Sequence, residues 1–198
     1  MKPQTVRIVT LIAAFIAGLV IFSAAIFMFV GRLPTPIPAP SAIGGPFRLV
    51  DQRGEVVTQD ALKGKPSLIF FGFTHCPDIC PTALFDMSEV YKALGRDGDK
   101  LQAYFVSVDP ERDTPDILKE YLSSFDPRIR GLTGEPSAVT SMEKAYRVYS
   151  KKVPLDGGDY TMDHTALVYL MDKEGRFVAP FNMKRKPQDA AAELRRYL

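Results

Sequence analysis

Residues 67–81 read SLIFFGFTHCPDICP, and this stretch decides the fold. The apolar run Ser67–Phe73 is typical of a central strand that is buried on both faces. The residues after it predict a helix that begins at about Cys80 and ends at about Leu94. Cys76 and Cys80 therefore lie between the end of a buried strand and the start of a helix, where α/β sheets place their sites.

A hairpin is predicted before this stretch; after it, strands and helices alternate and a second hairpin ends the sheet. Upstream, Phe47–Val50 and Glu55–Val57 predict a hairpin around a polar turn. Downstream, the apolar patterns predict three strands and three helices: strands at Leu101–Val108, Thr165–Met171 and Arg176–Val178, and helices at about Pro115–Ser124, Pro136–Tyr146 and Pro187–Leu198. This order predicts an α/β domain with a mixed sheet and helices on both faces.

An apolar segment at residues 8–30 precedes the domain and contains no charged side chain. As a helix it would be about 35 Å long, enough for a bilayer core of about 30 Å. A cleaved signal peptide is the alternative, but its apolar stretch spans only about 7–15 residues and its small-residue site follows that stretch. Here the small residues 23–25 lie inside the run, so an uncleaved transmembrane anchor is favoured.

The flanking segments predict the topology of this anchor. Lys2 and Arg7 lie in the short segment 1–7, and this modest positive bias predicts that the N-terminus is cytoplasmic. Residues 31–45 carry four prolines and predict an extended spacer. We therefore expect a single-pass protein of the inner (cytoplasmic) membrane, with the domain 46–198 in the periplasm.

The composition concentrates the chemistry in a few residues. The chain has two Cys, two His and no Trp, and its formal net charge is +2. No run of Lys and Arg and no patch of alternating basic and aromatic residues occurs, which argues against a nucleic-acid partner.

The two cysteines are suited to metal binding or to redox chemistry. A helix N-terminus lowers a thiol pKa, and the thiolate is the form that binds metals or attacks disulfides. On a helix, Cys76 and Cys80 would have Cβ atoms about 5–6 Å apart, wider than the roughly 3.8 Å of a disulfide. Two metal bonds of about 2.3 Å span that gap more easily. A reversible disulfide stays open because Pro77 disturbs the backbone, and a structural disulfide would close only a short loop worth about 2 kcal/mol.

His164 lies in the segment YTMDHT, residues 160–165, just ahead of a predicted strand. We expect this loop beside the Cys76 loop, where two thiolates and an imidazole would suit copper, or zinc with a fourth ligand. Asp163 is a candidate acceptor that orients the ring. The alternative is a surface histidine without a ligand role. His75 adjoins Cys76 and is expected to point away from the pair.

Three motifs together resemble the Sco/SenC family: GFTHCPDICP at 72–81, VSVDPERDTP at 106–115 and DHT at 163–165. Their order and separation match those of the family, as do the anchor and the linker, and the resemblance covers residues 45–198. It implies a thioredoxin-like fold with an added N-terminal β-hairpin. It also implies a copper metallochaperone that delivers copper to the dinuclear centre of cytochrome c oxidase subunit II.

The same resemblance implies roles for individual residues. Cys76, Cys80 and His164 would bind one copper ion per chain, as Cu(I) or Cu(II), received from a copper donor chaperone. Cys76 and Cys80 would also form a redox-active pair that reduces cysteines of the target. Asp78 and Asp109, with Asp163, are candidates for contacts behind the ligands or with a partner.

Two other classes of function compete with this interpretation. One is an enzyme, either a membrane-tethered thiol–disulfide oxidoreductase or a peroxiredoxin-like peroxidase. The other is a docking protein that uses its exposed loops. No catalytic residue is predicted for the chaperone, and His164 favours metal binding over the alternatives.

Overall fold

The computed structural model describes residues 15–26, 28 and 43–198. The chain divides into two units, Met1–Ala39 and Pro40–Leu198. In the first unit the residues 15–26 are helical.

The predicted anchor 8–30 is only partly covered by this description. Among the residues that are described, no helix has the length and apolar character needed to cross a bilayer. Several parts of the predicted N-terminal segments lie outside the described residues: 1–7, 8–14, 27, 29–30 and 31–42.

In the described part of the second unit, residues 43–198, nine strands form two sheets. They are β1 (Arg48–Asp51), β2 (Val56–Thr58), β3 (Ser67–Gly72), β4 (Gln102–Ser107), β5 (Ile129–Thr133), β6 (Ser150–Pro154), β7 (Tyr160–His164), β8 (Val168–Met171) and β9 (Phe177–Phe181). The larger sheet has the order β2-β1-β5-β4-β3-β8-β9, and β6 pairs with β7 in a separate hairpin. The pairs β3–β4 and β4–β5 are parallel and the others antiparallel, so the predicted mixed sheet is confirmed.

Four helices accompany the sheet: α1 (Ile79–Leu94), α2 (Pro115–Leu122), α3 (Pro136–Ala145) and α4 (Pro187–Leu194). Three of them begin with Pro, whose missing N–H costs nothing in the first turn of a helix. The Thr114 hydroxyl caps α2 by accepting a hydrogen bond from the backbone N of Ile117. The predicted helices are therefore present, with α2 and α4 shorter than the apolar pattern indicated.

Side chains of the central strands show that helices lie on both faces of the sheet. Phe105 lies beside Gly131 in the β4–β5 register, and a Cβ atom added to Gly131 would meet Leu122 of α2 at 2.7 Å. Phe71 points to the opposite face, where its ring centroid lies 5.8 Å from that of Tyr146, directly after α3. The prediction that helices cover both faces of the sheet is confirmed.

The largest error of the sequence prediction concerns the chain around His164. The segment 160–164 was expected to be a loop, but it is strand β7, whose residues pair with β6 from Ser150↔His164 to Pro154↔Tyr160. The next strand begins only at Val168 rather than at residue 165. The β6 sequence SKKVP is mostly exposed and has no apolar alternation, so the period-2 signal that predicts a strand is missing.

Candidate metal centre

The two cysteines lie on either side of the start of α1. This helix begins at Ile79, so Cys80 is in its first turn and Cys76 precedes it. The backbone N–H of Cys80, one of the N–H groups that a first helical turn leaves unpaired, donates to the Cys76 Sγ at 3.4 Å. Cys76 is half-buried and Cys80 is fully buried, and both are free thiols in the part of the chain that is described.

Gly72, the last residue of β3, allows Cys80 to pack against the end of the strand. A Cβ atom at Gly72 would lie 2.8 Å from the Cys80 Sγ and 2.7 Å from the ring of Phe105. Both distances are shorter than real Cβ contacts. A residue with a side chain at this position would therefore displace the sulfur or the ring.

His164 completes the group from the end of β7. Its Nε2 lies 3.6 Å from the Cys80 Sγ, and its Nδ1 lies 3.2 Å from the backbone carbonyl of Thr165. A carbonyl only accepts hydrogen bonds, so Nδ1 carries the proton and Nε2 presents its lone pair to the sulfur. The rings of Phe70 and Phe73 surround the imidazole edge-on, with centroids 6.4 and 5.7 Å away.

The ligand atoms of Cys76, Cys80 and His164 all lie within 4.8 Å of one another. Zinc-like metal bonds of about 2.3 Å to sulfur and about 2.0 Å to nitrogen join atoms up to roughly 4.6 Å apart, so small movements would complete a site. Two sulfurs and one imidazole form a soft donor set, which suits copper. An open cavity of about 250 Å³ borders Cys76 and His164 and gives access to the group from the surface.

Burial changes the protonation of two members of this group. It raises the pKa of the Cys80 thiol, and the Cys76 sulfur adds to the effect while a backbone hydrogen bond from Phe73 opposes it. Burial also lowers the pKa of His164, against the opposing effects of the Thr165 carbonyl and the Asp163 charge. The protein alone therefore holds a neutral imidazole beside a Cys80 thiol, and a metal ion would take the place of the thiol proton.

The other sequence candidates lie at different distances from this centre. His75 is exposed, and its Nδ1 lies 3.1 Å from the Thr74 hydroxyl. Asp78 is exposed and accepts a hydrogen bond from the Thr82 hydroxyl. Asp163 is exposed on β7 and acts on the His164 ring through its charge, whereas the hydrogen bond that orients the ring is to the Thr165 carbonyl.

Comparison with known proteins identifies the family of this chain. The sequence pattern that defines the SCO1/SenC family matches residues 36–198. A SCO2-like protein of Rickettsia felis is 42% identical over 149 residues, which cover 74% of this chain and 73% of that protein. This chain belongs to the SCO1/SenC family.

Two solved structures of Sco proteins are similar to this one. The structure of Bradyrhizobium japonicum ScoI with copper bound is 65% identical, with a TM-score of 0.77, and the match covers 79% of this chain and 99% of that one. Yeast Sco1 with copper bound is 42% identical, with a TM-score of 0.72, and the match covers 78% and 87% of the two chains. The thioredoxin-like Sco fold implied by the sequence motifs is thereby confirmed.

One residue of this Sco domain that the sequence analysis did not single out is Asp113. It is fully buried and accepts hydrogen bonds from the Ser107 hydroxyl at 2.6 Å, from the Thr74 hydroxyl at 2.6 Å and from the Thr74 backbone N at 3.1 Å. Burial raises its pKa, although these bonds oppose the shift. The signal was the second aspartate of the quoted motif VDPERDTP. The first aspartate, Asp109, is also buried, and its carboxylate binds Arg112 and Tyr160.

Proposed function

We propose that this protein is a membrane-anchored copper metallochaperone. It binds one copper ion through Cys76, Cys80 and His164 and delivers it to the dinuclear copper centre of cytochrome c oxidase subunit II. The observation that carries the proposal is the convergence of two sulfurs and one imidazole nitrogen within 4.8 Å. The copper-bound structures of the Bradyrhizobium japonicum and yeast relatives support it.

The chemistry of the centre suits a carrier that must release its cargo. Two thiolates hold Cu(I), and the imidazole adds the nitrogen ligand that Cu(II) prefers. Cys76 and His164 border the open cavity while Cys80 is buried. Ligands of an acceptor protein can therefore reach copper from the Cys76 side and replace the protein's own ligands one at a time.

The N-terminal sequence supports a location at the inner membrane. In this proposal residues 1–7 are cytoplasmic, 8–30 form a single transmembrane anchor, 31–45 form a Pro-rich linker, and 46–198 form the copper-binding domain in the periplasm. A donor chaperone supplies copper there, and the linker gives the domain reach towards an oxidase in the same membrane. A periplasm-dependent reporter fused after Leu198 should be active; activity of a cytoplasmic reporter alone would overturn this topology.

Thiol–disulfide exchange is the second candidate function, and the Cys76–Cys80 hydrogen bond is the observation that favours it. The Cys76 thiolate would attack a disulfide of the target and release one of its thiolates. Cys80, after losing its proton, would then attack the Cys76 sulfur and release the second. The target gains two electrons, and Cys76 and Cys80 end as a disulfide.

Copper stoichiometry separates these functions. Reduced protein should bind one Cu(I), and protein with the cysteines oxidised to a disulfide should bind almost none, because ligation needs thiolates. His75→Ala is the matched control, since it changes the other histidine and should retain full binding. Equal copper uptake by reduced and oxidised protein would refute the ligand set, and consumption of peroxide by copper-free protein would favour the peroxidase.

Delivery needs its own test. Copper-loaded protein mixed with the soluble domain of subunit II should transfer copper to it, and deletion of the gene should lower oxidase activity most when copper is scarce. Normal oxidase activity at limiting copper in a strain without a related gene would contradict the chaperone role.

A further inference from the structure

Arg112 joins the turn after β4 to the hairpin that carries His164. Its Nε donates to a carboxylate oxygen of Asp109, and its Nη1 donates to the backbone carbonyl of Tyr160 at 2.9 Å and to Asp159 at 3.2 Å. The guanidinium also lies 3.7 Å from the centroid of the Tyr160 ring. The Tyr160 hydroxyl in turn donates a hydrogen bond to Asp109 at 2.8 Å, so Arg112, Asp109 and Tyr160 all bind one another.

A second contact strengthens the same junction. Lys152 of β6 forms an ion pair with Glu111 and lies 4.6 Å from the centroid of the Tyr160 ring. Two cations thus contact the Tyr160 ring: Arg112 from the turn and Lys152 from the hairpin. The Arg112 side chain is only 18% exposed. An isolated two-stranded hairpin is marginally stable, and β6 and β7 bury little besides Met162, so these contacts help to hold the hairpin on the domain.

The same turn also holds the cysteine loop. Asp113, four residues after Asp109, accepts hydrogen bonds from both the backbone and the hydroxyl of Thr74, two residues before Cys76. The turn 109–113 therefore contacts both halves of the metal centre, the cysteine loop through Asp113 and the histidine strand through Arg112.

We propose that Arg112 is a positioning residue that sets the distance between His164 and the two sulfurs; this role rests on the proposed copper function. Tyr160 and His164 are the first and last residues of β7, and alternation places both on the same side of the strand. Fixing the Tyr160 end fixes the direction of the strand and so the position of the imidazole at its other end. Arg112 touches neither the copper ligands nor the open cavity.

Arg128 provides a matched control elsewhere in the domain. Its guanidinium binds Asp126 through Nε and Nη2, at 2.8 and 2.7 Å, and lies 4.4 Å from the centroid of the Tyr91 ring. Arg112 and Arg128 thus share the same chemistry, an aspartate partner and a tyrosine face. Arg128 precedes β5, at the end of the parallel strands opposite the metal centre.

The test compares Arg112→Ala and Arg128→Ala in the full chain, with Arg112→Lys as a second variant that retains the charge. Hydrogen exchange of the β7 amides and the His164 imidazole NMR signal are measured on copper-free protein. Titrations with Cu(I) and Cu(II) follow, for each variant alone and combined with His164→Ala. Loss of an outer contact to a metal ligand typically weakens binding by about 10–100-fold.

We expect Arg112→Ala to speed exchange in β7, to shift the His164 signal and to weaken Cu(II) binding by about tenfold, with a smaller effect on Cu(I). Arg112→Lys should lie between it and the wild type, and Arg128→Ala should leave all three readouts unchanged. In the His164→Ala background, removal of Arg112 should have no further effect on copper.

Three outcomes would overturn the proposal: an unchanged His164 signal and β7 exchange in both Arg112 variants, an equal effect of Arg128→Ala, or a further loss of copper in the double variant. If the wild type binds no copper, the proposed function fails separately. The copper-free measurements then still decide whether Arg112 positions His164.

Discussion

The cysteine loop and the histidine hairpin reach the same centre but are held in different ways. The loop follows a fully buried strand, and Cys80 packs into the core against Gly72 and Phe105. The hairpin is largely exposed and is attached by ion pairs and a tyrosine ring. The two sulfurs are therefore fixed by core packing. The Phe70 and Phe73 rings pack against the imidazole, but the hairpin that carries it is held by polar contacts, which are weaker and more sensitive to salt. This difference predicts that the two halves respond differently to mutation.

Removing a sulfur should have the largest effect. Cys76→Ser or Cys80→Ser takes away half of the thiolate ligands, so we expect binding of Cu(I) and Cu(II) to weaken by more than the roughly 100-fold upper range for outer contacts. Competition titrations with each copper state measure the loss. Binding within about tenfold of wild type in either variant would contradict the two-sulfur assignment.

Adding one methyl group behind the sulfur should have the next largest effect. Gly72→Ala forces Cys80 or Phe105 to move, and overpacking of this kind costs about 1–3 kcal/mol. Gly131→Ala is the control, because its Cβ would meet Leu122 at a similar 2.7 Å and its nearest atoms belong to Leu122 and Leu118 rather than to a cysteine. Thermal unfolding should show a loss of stability in both, and copper titration a loss of affinity only in Gly72→Ala. Equal copper affinities in the two variants would show that the approach of Gly72 to Cys80 has no bearing on the site.

Removing the imidazole should weaken the binding of Cu(II) more than that of Cu(I). His164→Ala should retain weakened Cu(I) binding through the sulfurs but lose the visible thiolate-to-Cu(II) absorption, since Cu(II) gains more from nitrogen. His75→Ala should change neither. An intact Cu(II) spectrum in His164→Ala, with its loss in His75→Ala, would reverse the assignment of the two histidines.

The smallest effect should come from a buried acid behind the hairpin. Glu143 of α3 accepts a hydrogen bond from Ser150, which pairs with His164, and its Oε1 has no partner in the described part of the chain. Burial raises the pKa of Glu143 above its ordinary 4.5. Above about pH 4.5 and up to the raised pKa, the folded state binds more protons than the unfolded state, so the free energy of unfolding falls as pH rises.

Glu143→Gln should remove this pH dependence, because the amide cannot ionise. We expect a gain of about 1 kcal/mol at neutral pH, which denaturant unfolding at several pH values would measure. Parallel stability curves for wild type and Glu143→Gln across pH 4.5–8 would contradict the expectation.

The predictability of each half from the sequence follows from how that half is held. The cysteine loop follows an apolar run, so the strand, the helix and the position of Cys76 and Cys80 between them were all readable from Ser67–Leu94. The hairpin has no apolar period, and β6 with two lysines reads as a loop. His164 was found through the resemblance of its motif and not through periodicity. The contacts of Arg112 and Asp113 join residues about 40–50 positions apart, which no local pattern encodes.

Cys80 and His164 are 84 positions apart in the sequence, so the ribosome adds them at different times. At about 5–20 residues per second, the ribosome completes Cys80 some 4–17 s before His164. During that interval the growing chain carries both sulfurs but not the His164 imidazole. Any soft metal met at that stage would find an incomplete donor set, and selection by His164 begins only when about three quarters of the domain 46–198 has been made.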